Sequence, residues 1–223
     1  MRNLRQLLGR YIFEDERDYD YILRPTLTDR KVRKWRRGPM TDQGTVPSCV
    51  GHGWYHLLTS TPVRQEPIAA NVLYYVAQHF DEWDGEAYDG TSVRAGAKVL
   101  KFTKCIKSYG WAFNLATAIP HLLEKGPLVA GFDWYEGMFA PDQRNIIKTT
   151  GRIAGGHCVL IYGVNLRTGF FYIQNSWGKD WGYKGTARIS FEDVEKLLKH
   201  GGECCTALEQ SWLQNQPHGN NLQ

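Results

Sequence analysis

No window of the sequence approaches the unbroken apolar length that a membrane span requires, so no membrane partner is expected. The opening residues, MRNLRQLLGRYIFEDERD, carry arginines but have neither the apolar core nor the small-residue cleavage site of a secretory signal, and export by that route is not expected. The five cysteines, Cys49, Cys105, Cys158, Cys204 and Cys205, are odd in number and show no CxxC pair and no zinc-site spacing. A disulfide framework and a structural zinc are therefore not expected, and a reducing compartment fits. Neighbouring Cys204 and Cys205 read as alternating strand residues with one buried thiol rather than as a strained vicinal disulfide. No internal repeat is present, which argues against a solenoid or array.

What is present is 223 residues, enough for one substantial domain or two packed lobes sharing a cleft, with a net charge of +4 that is unevenly placed. The first forty residues hold eleven Lys/Arg against six Asp/Glu, and RKVRKWRR, residues 30–37, is the densest basic run. That run is a weak candidate for gripping phosphates. With no nucleic-acid motif beside it, it reads as a solvated lead-in strand.

The pattern along the chain changes half-way. Helical periodicity marks Cys49 to about Thr59, a segment from Pro67 through PIAANVLYYVAQHF, a segment N-capped by Thr91 or Ser92, and one from Asn114 stopped by Gly126 and Pro127. Strand patterns follow in LVAGFDW, HCVLIYGV, FFYIQNS and GTARIS; Ser190 and Asp193 open a late helix, and ECCTALE returns as a strand. Helices first and an antiparallel sheet later predict an α+β protein with a cleft between segregated lobes. The expected organisation is an N-terminal arm (1–25), a domain over 26–210 with a helical lobe at approximately 40–120 and a β-rich lobe at approximately 121–210, and a disordered, amide-rich tail (211–223).

Within DQGTVPSCVGHGW, Cys49 stands at a predicted helix start, where dipole and unsatisfied N–H groups lower a thiol's pKa. Gly51 and Gly53 inside that helix together cost about 2 kcal/mol relative to alanine, which implies close approach of another backbone or of a substrate. His157 follows a Gly155-Gly156 turn at the start of an apolar strand, and Asn175 ends the next one, where it can accept a ring N–H and orient the imidazole.

The order Gln43, Cys49, His157, Asn175 within DQGxxxSC, GGHCVLIYGV and QNSWGKDWGYKG resembles the papain-like (C1-type) cysteine peptidases, most of all their bacterial and phage-type branch. The resemblance implies a two-lobed fold with the nucleophile on the helical lobe and the base on the β-rich lobe. It implies a cysteine endopeptidase acting on polypeptides with no cofactor or metal: Cys49 as nucleophile, His157 as base and then acid, Asn175 as orienting residue. Gln43 and the Cys49 backbone N–H would form the oxyanion hole, Trp177 would shield the Asn175–His157 bond, and Gly90 would lie near the loop that pairs with substrate backbone. Phe132 and Trp134 line the cleft or, preferably, fill the core.

The sequence departs from that family at several points. Val46 replaces a disulfide cysteine of secreted relatives, which agrees with a cytoplasmic or virion-associated location. Val50, Gly51 and His52 replace the usual tryptophan, small residue and phenylalanine after the nucleophile. His52 and His56 share a face with Cys49 but lack further ligands, so they read as a packed pair and not a metal site. Only forty-two residues precede Gln43, too few for a long propeptide, and the arm is expected to pack on the body as a strap. Oligomeric state is not readable. Acyl transfer or amide hydrolysis on a non-protein substrate, and a non-catalytic virion or binding module, are the alternatives.

Overall fold

In the computed structural model residues 8–13, 15–65, 68–84 and 88–208 are described. The architecture is organised by one mixed sheet whose central strand, β7 (Ile153–Asn165), is thirteen residues long. β7 runs antiparallel to β5 (Leu128–Tyr135) on one side and to β8 (Phe170–Gln174) on the other, and β8 pairs with β9 (Thr186–Ser190). Beyond β5 lie β10 (Glu203–Leu208) and β4 (Ser108–Ala112), both antiparallel; beyond β9, the short β6 (Ile146–Ile147) pairs parallel. The basic lead-in forms β2 (Val32–Lys34), which takes the place beside β7 that β5 leaves open.

Period-2 alternation sends neighbouring residues to two different cores, because successive strand side chains face opposite sides. Val129, Cys158, Leu160 and Cys205 join the core formed with α1 (Cys49–Thr59), α2 (Ala70–Gln78) and α3 (Val93–Phe102). Ala130, Phe132, Trp134, Val159, Ile161 and Cys204 join the other, closed by α4 (Leu115–Glu124) and α5 (Phe191–Lys199). Cys204 and Cys205 are thus both buried free thiols on opposite faces, where the sequence suggested one.

Local signals account for the helix ends. Asn114 and Ser190 accept N–H groups from Thr117 and Asp193. Ser92 caps α3, while Thr91 donates its hydroxyl to Asp81 at 2.7 Å. Residues 108–112 depart from expectation: the first half of the chain, read as helical apart from its lead-in, also supplies the edge strand β4. Among the described residues no helix is long and apolar enough to cross a membrane. Pro67, expected in the first turn of α2, and the tail from 211 onward lie outside the described residues.

Candidate active site

Cys49 is the first residue of α1, and the Ser48 hydroxyl ahead of it donates to Asn71 Oδ1 (2.8 Å) instead of capping the helix. The two glycines that follow are explained by close approach. A Cβ on Gly51 would fall 2.1 Å from the carbonyl oxygen of Ala70, and one on Gly53 would fall 2.7 Å from Cys158 Sγ. These missing side chains let α1 settle against α2 on one side and β7 on the other, which brings the helix start beside the strand that carries His157.

The base side is built from β7 and the turn after β8. His157 Nε2 lies 2.8 Å from Asn175 Oδ1, and the Ser176 backbone N–H donates to the same oxygen at 2.7 Å. An atom receiving that backbone N–H is an acceptor, so His157 donates through Nε2 and Nδ1 carries the lone pair. Trp177 stacks on the imidazole (centroids 4.5 Å, 28°) and Trp134 meets it edge-on at 4.7 Å. Phe139 in turn stacks on Trp177. Phe132 and Trp134 are fully buried, so the preferred core reading describes them; Trp134's contact with the His157 ring was not evident from the strand pattern.

Gln43 is fixed at both ends of its amide: Oε1 accepts from Ser176 Oγ (2.7 Å) and Nε2 donates to the Val46 carbonyl (2.9 Å). Its backbone N–H bonds the Ser176 carbonyl at 2.8 Å, tying the segment before α1 to the segment after β8. Ser176 is therefore a structural partner that sequence reasoning passed over, although it lies inside the quoted QNSW block.

The arm closes the site. Residues 8–11 run through the cleft, with β1 (Arg10–Tyr11) paired parallel to β3 (Thr91–Ser92), and neither Cys49 nor His157 retains exposed surface. Steric limits show how tightly the arm fits. A Cβ on Gly9 would fall 1.9 Å from the Pro47 carbonyl oxygen, one on Gly90 2.7 Å from the Gly9 oxygen, and one on Gly156 2.0 Å from the Arg10 oxygen. Gly90 is left-handed (φ +125°), so glycine is needed there for conformation as well as space. Further along, Asp15 and Asp18 pair with the buried Arg94, and Tyr19 packs on Phe113.

Burial under the arm reverses one expectation. The helix start should lower the Cys49 thiol's pKa, yet it is pushed up to about 11 by burial, against the pull of backbone hydrogen bonds at Cys158, Gly9 and Val50. His157 is lowered to about 4, again by burial, opposed by its bond to Asn175. The closed site therefore holds a neutral thiol and a neutral imidazole.

His52 and His56 are a buried pair: His52 Nδ1 and His56 Nε2 both meet Thr41 Oγ1, at 2.7 and 2.8 Å, and His52 Nε2 lies 3.2 Å from Asn71 Oδ1. Burial holds both below the usual histidine range, His56 to about 3. Among the described residues no group of three or more His, Cys, Asp or Glu could hold a metal ion. The basic run covers the protein's own rings, Arg33 over Trp35 and Lys34 over Tyr172 at 4.1 and 3.8 Å.

The "Papain family cysteine protease" model matches residues 69–207, which include His157 and Asn175 but neither Cys49 nor Gln43. Among curated proteins, the chain is 45% identical over 118 residues to the Cathepsin B-like cysteine proteinase 3 of Ostertagia ostertagi, covering 47% of this chain and 67% of that one. It is 42% identical over 85 residues to a Cathepsin B-like cysteine proteinase of Schistosoma japonicum, covering 37% of this chain and only 25% of the relative. Among solved structures, xylellain, a cysteine protease from Xylella fastidiosa, superposes with TM-score 0.73 at 18% identity, over 91% of this chain and 96% of that one. The proCathepsin B S9 of Trypanosoma congolense gives TM-score 0.65 at 14% identity, over 92% and 87%. At those identities the structures establish the papain-like two-lobed fold alone.

Proposed function

The chain belongs to the papain family of cysteine proteases, and on that premise we propose that it hydrolyses peptide bonds of polypeptide substrates through Cys49, His157 and Asn175, within a catalytic domain spanning about residues 26–210. The observation that carries this reading is the His157–Asn175 bond of 2.8 Å beneath Trp177, which leaves a proton-accepting Nδ1 on a ring whose neighbour in sequence, Cys158, abuts the helix that Cys49 begins.

In the proposed cycle the arm yields to substrate, water and peptide reach the cleft, and Nδ1 of His157 takes the thiol proton. The Cys49 sulfur attacks the scissile carbonyl carbon, forming a C–S bond while negative charge collects on the carbonyl oxygen. The side-chain amide of Gln43, with the Cys49 backbone N–H, is assigned to that oxyanion. The C–N bond then breaks as His157 returns its proton to the leaving amine. Water, deprotonated by His157, attacks the thioester; the acid product leaves and Cys49 regains its proton. Asn175 holds the ring throughout, and Trp177 keeps water from that bond. An open groove of about 750 Å³ lined by Asp42, Phe139, Trp177 and Trp181 gives room for substrate beyond the base.

Alkylation by an electrophilic peptide analogue, followed by mapping, tests the assignment. Selective labelling of Cys49 near neutral pH that disappears in His157→Ala supports it. Equal labelling of all accessible cysteines in both proteins overturns it.

A further inference from the structure

The basic lead-in, which the catalytic reading leaves without a task, forms one wall of a charged groove that sheet register builds. Lys34 on β2 is opposite Gly163 on β7, Gly163 opposite Tyr172 on β8, and Tyr172 opposite Arg188 on β9. Residues directly opposite one another face the same side of a sheet, so Lys34, Tyr172 and Arg188 stand in one row. Gly163 lets the lead-in close in: a Cβ there would fall 2.6 Å from the Arg33 carbonyl oxygen and 3.0 Å from Lys34 Cα. The cations rest on rings, Lys34 3.8 Å from the centre of Tyr172, Arg37 5.1 Å from that of Tyr162 and Arg188 5.4 Å from that of Phe170. With Arg144 and Tyr183 these cations line an open groove of about 500 Å³, and no carboxylate is among its described lining residues. Arg144 reaches Asp142 at 4.0 Å; among the described residues Lys34, Arg37 and Arg188 have no ion-pair partner.

We propose that this groove is an exosite for an acidic stretch of the polypeptide substrate, lying some residues past the scissile bond on its leaving side. The proposal rests on the peptidase reading above and names the substrate class that the enzyme prefers. Three observations carry it. First, the groove is continuous with the one beside the base: Gln143, Asn145 and Tyr183 line both. Asn145 fixes that shared wall, its Oδ1 accepting the Tyr183 N–H at 3.0 Å and its Nδ2 donating to the Thr186 carbonyl at 2.9 Å. Second, the direction follows from the chemistry. His157 returns its proton to the leaving amine, so the product that carries this amine departs on the side of the imidazole, where Trp177 stacks and the first groove begins. Third, the charge changes sign along that path. Asp42, Asp142 and Asp180 line the groove at Trp177, and Lys34, Arg37, Arg144 and Arg188 line the next one. A departing chain with carboxylates immediately after the scissile bond meets like charge; one with carboxylates farther on meets cations already held in place. Single-stranded nucleic acid would need open ring faces to stack on, and those of Tyr162 and Tyr172 are covered by Arg37 and Lys34, whereas carboxylates need only the cations.

The test uses the full chain and internally quenched peptides that share one cleavable core and carry a run of glutamates or of glutamines, walked outward from the scissile bond on either flank. At low ionic strength the Glu run, set beyond the first residues of the leaving flank, is expected to exceed the Gln run in kcat/KM by at least ~tenfold. The gain should lie in KM with kcat unchanged, because the groove touches no reacting atom, and should shrink as salt is raised. Lys34→Gln combined with Arg188→Gln is expected to bring the ratio toward one while leaving hydrolysis of the Gln peptide as it was, which also reports that the variant is folded. Lys34→Arg with Arg188→Lys should keep the ratio. Equal rates for Glu and Gln runs in the unaltered chain, a ratio that survives the double Gln variant, or an equal gain on the opposite flank overturns the proposal. So does an oligothymidylate that abolishes the Glu advantage at concentrations where a free Glu-run peptide does not, since the groove would then belong to nucleic acid. Fluorescence anisotropy of a labelled Glu-run peptide separates the two readings. Binding that the double Gln variant weakens, with no peptide hydrolysed, would sink the peptidase and keep the surface; hydrolysis indifferent to the run would do the reverse.

Discussion

His157, on β7, is bonded to Asn175, just past the end of the neighbouring β8, and its ring lies between two tryptophans; Cys49 opens a helix of the other core, facing the arm, and Gln43 donates to Val46 and accepts from Ser176. The half assigned to the base is assembled without substrate, since the tautomer and ring orientation of His157 are set by Asn175 and Ser176. The half assigned to the nucleophile is conditional on that reading: burial beneath the arm raises the Cys49 thiol's pKa. On the proposed reading readiness is thus divided, with geometry stored in the sheet and activation controlled at the helix.

Substitutions rank the two halves. Cys49→Ala is expected to remove at least ~10⁴ of the peptide hydrolysis rate, and His157→Ala about as much, since members of a catalytic unit are not additive. Equal and small losses would show that neither half reacts. Gln43→Ala is expected to cost on the order of a hundredfold in kcat, and to lower Tm because Ser176 and Val46 lose a buried partner. A near-normal kcat would remove Gln43 from the oxyanion site.

Gly9→Ala tests the conditional half alone, because its new Cβ collides with the Pro47 carbonyl and drives the arm out. With the thiol returned from about 11 toward its ordinary 9.0, Cys49 alkylation at neutral pH should rise by up to ~100-fold, a factor of ten per pKa unit. An unchanged rate would mean the arm does not control the thiol.

Acid should act on stability more gently. His157 and His121 are both lowered by burial to about 4. The unfolded chain then binds the extra protons, so stability present above the ordinary histidine value of 6.5 is lost as pH falls toward 4, on the order of 2 kcal/mol for each at pH 5. Glu203 and Asp18, raised by burial, oppose this at lower pH. Urea midpoints that do not fall between pH 7 and 5 would contradict the buried, neutral histidines. The smallest expected effect is Gly53→Ala, about 1–2 kcal/mol of lost stability despite its better helix propensity, restored by Cys158→Ala; failure of that rescue would break the account of how α1 meets β7.

Apart from β4 and the two-residue β3 and β6, the order of elements from Cys49 to Ser190 was legible because the helix periods, caps and alternating strands agree with one another there. Gly51 and Gly53 announced a close approach, but not which: only the fold shows Ala70 and Cys158 in the spaces they leave. Strand β4 was missed because SYGWA is short and alternates weakly, and it is held by pairing with β10, about ninety residues later. The arm's seat was illegible for the same reason. Leu8, Gly9 and Arg10 are ordinary residues whose partners, Gly155, Pro47 and Glu203, are supplied by the folded body, and nothing local marks an ion pair across 193 positions. Asn175, at a strand end inside the QNSW block, was the opposite case, although its neighbour Ser176 was passed over.

The hydroxyl of Thr41 has one proton and two imidazole neighbours. Asn71 Oδ1 can only accept, so the neutral ring of His52 donates to it through Nε2 and keeps a lone pair at Nδ1; that lone pair takes the Thr41 proton, and Thr41 Oγ1 in turn receives N–H from His56. Four side chains spanning α1, α2 and the segment ahead of Gln43 therefore form a one-way relay whose polarity is dictated by a single amide oxygen. Thr41→Val would sever it at both junctions at once, leaving a donor and an acceptor stranded on the helix that Cys49 begins.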